Sequence, residues 1–520
     1  MWPVENQDTQ CRGVRTMRTA VMPKQGTIRL TEPAGFEGAA TMIVLKFGGT
    51  SVANPDRIRE AIRITLLQSV PRVVVVSAAS GVTNLLLEAA RCAAAQDNEG
   101  RHQAVAEIHR RHDAILSGIP DPAESACARE SVDVLHHLLD QGLSDIHDAG
   151  DAVAHLSDRV VSTGEKCLST MMAAMMRAEG HPARAVFADT VIATDDRHGN
   201  ARPDRPRTRA SAQSHIVPLL DAGQTVIVTG FIGFAPDGST TTLGRGGSDY
   251  SATLLGAALD AEEVQIWTDV PGVLSADPRK VSTARVVPHV SFDEAQELAH
   301  FGAKVLHPRT IRPAVARNIP VRILSTFAPL EPGTVVTKEA TDDRMKAVTA
   351  LRGLILLTLD VPELEDLAPA ASAVFRLLHE ERVEIVSVSQ ASSRRRMTFL
   401  VDAVIGGCSR LQVHLESEMD ELEASISCTE DVAVVAAVGE GAANTVSAMS
   451  RMLSVLHRNN VPVISTSQQT SNVAVLAVIA ERAADKAVLA LHDAMVQPAS
   501  RKKSRRRRRS ELMAEPVRVG

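Results

Sequence analysis

Aromatic residues are scarce in this sequence, which has two Trp, one Tyr and ten Phe among 520 residues. Aliphatic side chains must therefore provide most of the packing in its hydrophobic cores. No apolar run approaches the length of about 18 residues typical of a membrane span, and the N-terminal residues have no segment typical of a secretory signal. These absences predict a soluble cytoplasmic protein that binds no membrane.

Paired cysteine spacings are also absent, although the chain has six cysteines. Without a C-x-x-C spacing, neither a zinc site nor a disulfide framework is indicated, and we predict reduced thiols. His109 and His112 lie one helical turn apart but have no further candidate ligand close in sequence. We therefore expect solvent around these two imidazoles and predict no metal site.

The nucleotide-binding motif G-x-x-x-x-G-K-[ST] does not occur, and the set of motifs typical of protein kinases is missing as well. Two other glycine-rich segments are present: residues 46–52 (KFGGTSV) follow a predicted strand, and residues 240–250 (TTTLGRGGSDY) open a predicted helix. Such turns offer backbone N–H groups to phosphate oxygens, and Lys46 adds a cation. Any nucleotide site must therefore use a fold other than the P-loop fold.

Charge is unevenly distributed along the chain. The net charge is −6, but residues 501–509 contribute eight positive charges, which leaves −14 on the remainder. No aromatic residues that could stack on bases lie between these arginines, so we predict a disordered basic tail over 497–520 and no specific nucleic-acid partner. Residues 1–40 lack periodicity and are predicted to be a flexible extension.

Between these ends, strand-like runs alternate with helical patterns. Asn54 before Pro55 predicts a helix start, because Asn caps free N–H groups and Pro at the first position loses no hydrogen bond. Ser291 followed by Glu294 predicts a capping box at another helix start. The alternation predicts an α/β domain over 41–337 with a mainly parallel central sheet covered by helices. The predicted strands are 42–47, 72–76, 183–187, 225–231, 263–267, 320–324 and 333–336.

One segment recurs in the C-terminal part of the chain. Residues 379–390 (HEERVEIVSVSQ) match residues 457–468 (HRNNVPVISTSQ), and each copy follows an amphipathic helix and precedes an alternating strand. We predict two small α+β modules over 338–496. Gln390 and Gln468 end the two copies, in turns where symmetrical ligand sites are expected.

Taken together, these segments resemble those of aspartate kinases of the amino-acid kinase family. The resemblance extends over residues 42–496, and the tandem modules resemble the paired ACT domains (βαββαβ) that follow the kinase domain in that family. The matching strings are 46–52 (KFGGTSV), 76–84 (VSAASGVTN), 162–165 (STGE), 240–250 (TTTLGRGGSDY), 267–272 (WTDVPG), 276–279 (ADPR) and 301–308 (FGAKVLHP).

The resemblance implies transfer of the ATP γ-phosphate to the β-carboxylate of L-aspartate, the first step towards lysine, threonine and methionine. It implies Lys46 and Asp249 as catalytic residues and Mg²⁺ bound to the ATP phosphates, without an assigned protein ligand. The aspartate-binding residues it implies are Ser77, Thr83, Glu165, Arg245, Gly246, Gly247 and Ser248. The ATP-binding residues it implies are Lys46, Gly48, Gly49, Thr268, Asp269, Leu274, Arg279, Lys304 and Val305.

Residue chemistry agrees with these implied roles. Glu165 suits the ammonium group of aspartate, and Arg245 suits its α-carboxylate through two parallel hydrogen bonds. Ser77 and Thr83 offer hydroxyls to the reacting carboxylate. Leu274 departs from the Tyr or Phe usual in the family, so an aromatic contact near the nucleotide is lost.

The ACT-like pair implies feedback regulation by lysine or threonine through Gln390 and Gln468, and a homodimer or higher oligomer. The string at 389–392 (SQAS) is closer to threonine-responsive members, whereas the three arginines at 394–396 depart from the family and leave the effector open. Two alternatives to aspartate kinase activity also stay open. One is another amino-acid kinase, such as a glutamate kinase, and the other is a catalytically silent amino-acid sensor.

Overall fold

The computed structural model describes residues 42–302, 308–339, 342, 344–361, 367–391, 395–402, 407–421, 424–440, 445–468 and 473–496. The predicted extension 1–40 and the predicted basic tail 497–520 lie outside these residues. In the N-terminal part, the strands are β1 Ile43–Phe47, β2 Arg72–Val76, β3 Ala183–Val186, β4 Thr225–Thr229, β5 Ile232–Phe234, β6 Thr240–Thr242, β7 Glu263–Thr268, β8 His289–Ser291, β9 Val321–Ser325 and β10 Thr334–Thr337. The helices there are α1 Pro55–Leu66, α2 Val82–Ala94, α3 Asn98–Leu116, α4 Pro122–Ala149, α5 Ala154–Ala178, α6 Arg205–His215, α7 Val217–Asp221, α8 Gly247–Ala258, α9 Phe292–His300 and α10 Pro308–Ala316.

The central sheet has the strand order β3-β4-β2-β1-β7-β9-β10-β8 and is parallel except between β9 and β10. Helices cover both faces of the sheet. On one face, Leu45 of β1 packs in a core with α1, α2 and α5, and on the other face Val44 packs in a second core with α8. Phe47 pairs with both Val76 and Trp267. The loops after β1, β2 and β7 therefore meet at one edge of the sheet. The prediction of a mainly parallel sheet is confirmed.

The strand predicted over 225–231 ends earlier, at Thr229. Phe231 has a φ of 72°, and a Cβ on Gly230 would lie 2.7 Å from the Cβ of Ser248. The chain turns here to let the start of α8 approach, which the apolar run does not reveal. The predicted helix starts are confirmed: Asn54 accepts a hydrogen bond from the Arg57 N–H, and Ser291 with Glu294 forms a capping box.

Helices α3, α4 and α5 form a layer on one side of the sheet. The predicted solvation of His112 is wrong, because this side chain is 1% exposed and lies against His136 of α4. His109 is half-buried, and its ring stacks on that of His136 with centroids 3.9 Å apart. Sequence spacing did not reveal the contact, since packing of α3 on α4 creates it.

The C-terminal part contains β11 Ala347–Asp360, α11 Leu367–Glu380, β12 Ile385–Ala391, β13 Arg396–Val401, α12 Gly407–Glu421, β14 Ser425–Val438, α13 Thr445–Arg458, β15 Val463–Gln468, β16 Ala474–Ala480 and α14 Ala484–Leu491. Its strands form one antiparallel sheet with the order β12-β13-β11-β14-β16-β15. The long strands β11 and β14 pair along most of their length, so both α+β modules share a single sheet.

The prediction that Gln390 and Gln468 lie in turns is wrong. Gln390 lies within β12 and Gln468 is the last residue of β15, and these are the two outer strands of the sheet. Gln390 is exposed. The copies therefore occupy equivalent positions at opposite edges, where each outer strand pairs on one side only with the other strands that the structure describes.

The prediction of reduced thiols throughout the chain is wrong for one pair. Cys408 at the start of α12 and Cys428 in β14 form a disulfide, with Cα atoms 5.7 Å apart. The two residues are 20 positions apart, and only the packing of α12 beside β14 brings them together. Cys92, Cys127 and Cys167 are free thiols. Among the described residues, no helix combines the length and apolarity needed to cross a bilayer.

Candidate active site

Lys46 and Asp249 meet at the carboxyl edge of the central sheet. Lys46 is the second-to-last residue of β1 and is 8% exposed. Asp249 is in the first turn of α8. The Nζ atom of Lys46 lies 2.5 Å from Oδ1 of Asp249. A φ of 71° at Gly246 starts α8 at this point, a conformation that glycine adopts without strain. The structure therefore brings together the two residues predicted to be catalytic.

The loop after β1 packs closely against the end of β2. A Cβ on Gly49 would lie 2.9 Å from the carbonyl oxygen of Ala78, so a larger residue would push the two segments apart. Gly48 donates its N–H to the carbonyl of Trp267 at 3.2 Å, and a Cβ on it would lie 3.6 Å from Nζ of Lys46. Gly48 therefore keeps the backbone close to the lysine cation, and Gly49 keeps this loop close to the end of β2.

Glu165 lies in α5 and is 2% exposed. Its Oε1 accepts a hydrogen bond of 3.1 Å from the backbone N–H of Ala78, while Oε2 has no hydrogen-bond partner among the described residues. Burial raises the pKa of Glu165 from 4.5 to about 7, and the hydrogen bond from Ala78 opposes part of that rise. A buried carboxylate oxygen without a donor suits a cationic ligand.

The hydroxyl-bearing residues of the site lie on neighbouring elements. Ser77 immediately follows β2, and its hydroxyl donates a hydrogen bond of 3.0 Å to the hydroxyl of Ser248. This bond joins the end of β2 to the start of α8. Thr83 is half-buried in the first turn of α2. Arg245 is exposed, and within the described ranges it forms no ion pair. Its guanidinium is therefore available to an anion.

Four of the predicted nucleotide residues lie at the end of β7 and in the segment between β7 and β8. Thr268 ends β7, where its Oγ1 bonds to Asp269 at 3.1 Å and its carbonyl accepts the Thr326 N–H. Leu274 is half-buried and forms a β-bridge with Val286. Arg279 is exposed and pairs with Asp277 at 2.8 Å. Lys304 and Val305 lie outside the described residues.

The comparisons with known proteins agree with this geometry. The amino acid kinase family matches residues 41–325, and an ACT domain matches residues 435–495. Lysine-sensitive aspartokinase 3 of Escherichia coli is 33% identical over 445 residues, which is 84% of this chain and 95% of the relative. The chain belongs to the aspartokinases of the amino acid kinase family.

Solved structures support the assignment to the aspartokinases. E. coli aspartokinase III in complex with aspartate and ADP (R-state) has a TM-score of 0.74 and 31% identity, and covers 88% of this chain and 100% of its own. The same enzyme with lysine and aspartate (T-state) gives the same values. The chain spans about half the length of related bifunctional aspartokinase/homoserine dehydrogenases, such as that of Arabidopsis thaliana (32% identity, 90% of this chain and 52% of that one).

One buried carboxylate near the aspartokinase site is absent from the sequence predictions. Asp158 of α5 is 4% exposed and accepts hydrogen bonds from His198, from the Gly199 N–H, and from both the N–H and the hydroxyl of Thr242. It thereby fixes the end of β6, three residues before Arg245. No sequence motif marks Asp158, since its partners come from distant segments.

Proposed function

We propose that this chain transfers the γ-phosphoryl group of ATP to the side-chain carboxylate of L-aspartate and forms 4-phospho-L-aspartate. The observation that carries this proposal is the ion pair between Lys46 and Asp249, at the sheet edge where the loops after β1 and β2 meet. Phosphoryl transfer to a carboxylate brings two anions together. A fixed cation between them lowers the barrier by stabilising the charge of the transition state.

Aspartate binding uses groups of both signs. Oε2 of Glu165 is buried without a partner among the described residues, and the ammonium group of aspartate would provide one. Arg245 binds the α-carboxylate with two parallel hydrogen bonds. Ser77, Thr83 and Ser248 offer hydroxyls to the β-carboxylate, and Gly246 and Gly247 let the backbone approach the substrate.

In the transfer step, the β-carboxylate attacks the γ-phosphorus and the bond to ADP breaks. No general base is required, because an aspartate side chain is already ionised at neutral pH. Lys46 lies between the attacking carboxylate and the phosphate, and Asp249 holds its ammonium group in place. Asp249 therefore positions the cation, and we assign it no proton transfer.

ATP binds beside this lysine, with its phosphates near the N–H groups of Gly48 and Gly49. Thr268, Asp269, Leu274 and Arg279 contribute to nucleotide binding, together with Lys304 and Val305. Mg²⁺ enters with the phosphates of ATP, as a hard cation that prefers oxygen ligands. We assign it no ligand from the protein.

The C-terminal sheet binds an amino-acid effector at Gln390 and Gln468. Lysine is the first effector to test, because the related E. coli enzyme is lysine-sensitive. Among the described residues, each outer strand that carries one of the glutamines has a partner strand on one side only, and an edge of this kind suits the polar backbone atoms of an amino acid. Pairing of such sheets between subunits gives a homodimer or higher oligomer. The cytoplasmic location remains a prediction.

The test is an assay of acyl phosphate formation, in which hydroxylamine traps the product. Purified chain is given MgATP with aspartate or glutamate, and then lysine or threonine is added. We expect hydroxamate with aspartate, little with glutamate, and inhibition by lysine. Turnover of glutamate alone would identify a different amino-acid kinase. A folded chain that turns over neither substrate would favour the catalytically silent sensor.

A further inference from the structure

Three helices of the layer beside the sheet bring two imidazoles and a thiol together. His112 lies in α3, His136 in α4 and Cys167 in α5, and one ligand atom from each lies within 4.8 Å of the other two. Nδ1 of His112 is 2.9 Å from Nε2 of His136. None of the three has a part in the proposed transfer reaction. We call these residues the His-His-Cys cluster.

The cluster is deeply buried, and its polar atoms are not fully satisfied. His112 is 1% exposed and Cys167 is fully buried, while His136 is half-buried and gives the cluster an edge towards solvent. Nε2 of His112 has no hydrogen-bond partner in the described part of the chain. In either neutral tautomer of His112, this atom leaves a lone pair or a proton buried without a partner.

A fourth group stands beside the cluster. The ring of His109 stacks on that of His136, and its Nε2 is also buried without a partner among the described residues. Two buried imidazole nitrogens without partners in one place are unusual, because nearly all buried polar atoms find one. A cation bound between the two rings would use Nδ1 of His112, which faces His136, and would leave Nε2 of His112 as a buried N–H.

The protonation states suit a metal ion. Burial lowers the pKa of His112 to about 3 and that of His136 to about 4, so both rings are neutral at physiological pH. Neutral imidazole is the form that binds metals. Burial raises the pKa of the Cys167 thiol, and a coordinated metal reverses this by deprotonating the thiol. Binding would therefore release one proton to solvent.

We propose that Nδ1 of His112, Nε2 of His136 and the thiolate of Cys167 bind a Zn²⁺ ion, with water in the fourth position. Two imidazole nitrogens and one thiolate form a ligand set typical of tetrahedral zinc. With Zn–N bonds of about 2.0–2.1 Å, tetrahedral geometry separates two nitrogens by about 3.3 Å. The observed 2.9 Å between the two rings would therefore open by a few tenths of an ångström as the metal replaces their hydrogen bond.

The ion would act on structure and not on phosphoryl transfer. Cys167 and Glu165 are two residues apart in α5. Their side chains therefore point about 200° apart around the helix axis, towards opposite faces of α5. Zn²⁺ would join α3, α4 and α5 at that face. Mg²⁺ from the substrate would not compete, because it prefers oxygen ligands.

The proposal is tested with Co²⁺, which occupies tetrahedral zinc sites and is visible by absorption. The full chain is stripped of metal with a chelator and titrated with Co²⁺ in excess Mg²⁺. We expect one Co²⁺ per chain, a thiolate-to-cobalt charge-transfer band and a higher melting temperature. The band should be absent in Cys167→Ser and retained in the matched control Cys92→Ser, which changes another buried thiol.

A second variant keeps the proposal testable if Cys167→Ser folds poorly. His136→Gln, at the half-buried edge, should lower Co²⁺ affinity by at least about 10²-fold while aspartate turnover shows that the protein is folded. Absence of the band in the wild type would identify the cluster as a hydrogen-bonded pair of neutral histidines beside a thiol. Persistence of the band in Cys167→Ser would place the cobalt at another thiol and overturn the assignment.

Discussion

Lys346 and Glu294 form a buried ion pair, with 2.7 Å between Nζ and Oε2 and side-chain exposures of 5% and 0%. Glu294 lies in the first turn of α9, and Lys346 immediately precedes β11. The same carboxylate accepts the N–H of Glu440 at 2.9 Å, just after β14. One side chain of the kinase part thus contacts residues that flank both central strands, β11 and β14, of the C-terminal sheet. This contact is a direct physical link between the two parts.

Lys346→Met should therefore lower stability and weaken effector inhibition. Removal of one partner from a buried ion pair costs about 3–5 kcal/mol, because the carboxylate of Glu294 stays buried without its counter-charge. Chemical denaturation and inhibition curves for lysine measure the two effects. The matched control is Lys280→Met, which breaks the exposed pair with Asp485. An exposed pair contributes at most about 1 kcal/mol, and equal losses in both variants would contradict the prediction.

Lys46→Ala should lower kcat by about 10² or more, because it removes a preorganised cation from the reacting groups. The aspartate KM should change much less, since Glu165 and Arg245 bind the ends of aspartate that do not react. Asp249→Asn keeps the lysine but loses its anchor, so a smaller fall in kcat is expected. Steady-state kinetics with hydroxamate detection checks both. A Lys46→Ala enzyme with kcat within about twofold of wild type would refute the assigned role.

Glu165→Gln should raise the aspartate KM by about 10-fold or more, because the ammonium group loses its counter-charge in a buried site. The same change removes a buried carboxylate whose Oε2 has no partner in the described part of the chain, so the ligand-free protein should not lose stability. Kinetics and thermal unfolding of the ligand-free variant measure the two effects. A large loss of melting temperature with an unchanged KM would instead assign Glu165 a structural role.

Arg245→Lys and Arg279→Lys form a matched pair of charge-conserving changes. Both arginines are exposed, but only Arg245 is proposed to hold the α-carboxylate through two parallel hydrogen bonds, which lysine does not reproduce. We expect Arg245→Lys to raise the aspartate KM by about 10-fold and Arg279→Lys to raise only the ATP KM. The two KM values, measured for each variant, decide this. A rise in the ATP KM alone for Arg245→Lys would reverse the assignment.

Features that depend only on residues close in sequence were predictable. The cap at Asn54, the capping box at Ser291 and the strands β1 and β2 follow from local patterns of side-chain type and burial. The site at the carboxyl edge followed from the glycine-rich turns together with the family resemblance. Its central pair, Lys46 and Asp249, does meet in the folded chain.

The sequence by itself determined a parallel α/β fold, a repeated C-terminal unit and residues whose chemistry suits phosphoryl transfer to aspartate. Only the tertiary structure decided that the two repeats share one sheet, that Cys408 bonds to Cys428, and that Glu294 holds Lys346. It also decided that His112 meets His136 and Cys167. The reason is physical: periodicity and capping act within a few residues, whereas these contacts need several elements packed in one particular arrangement.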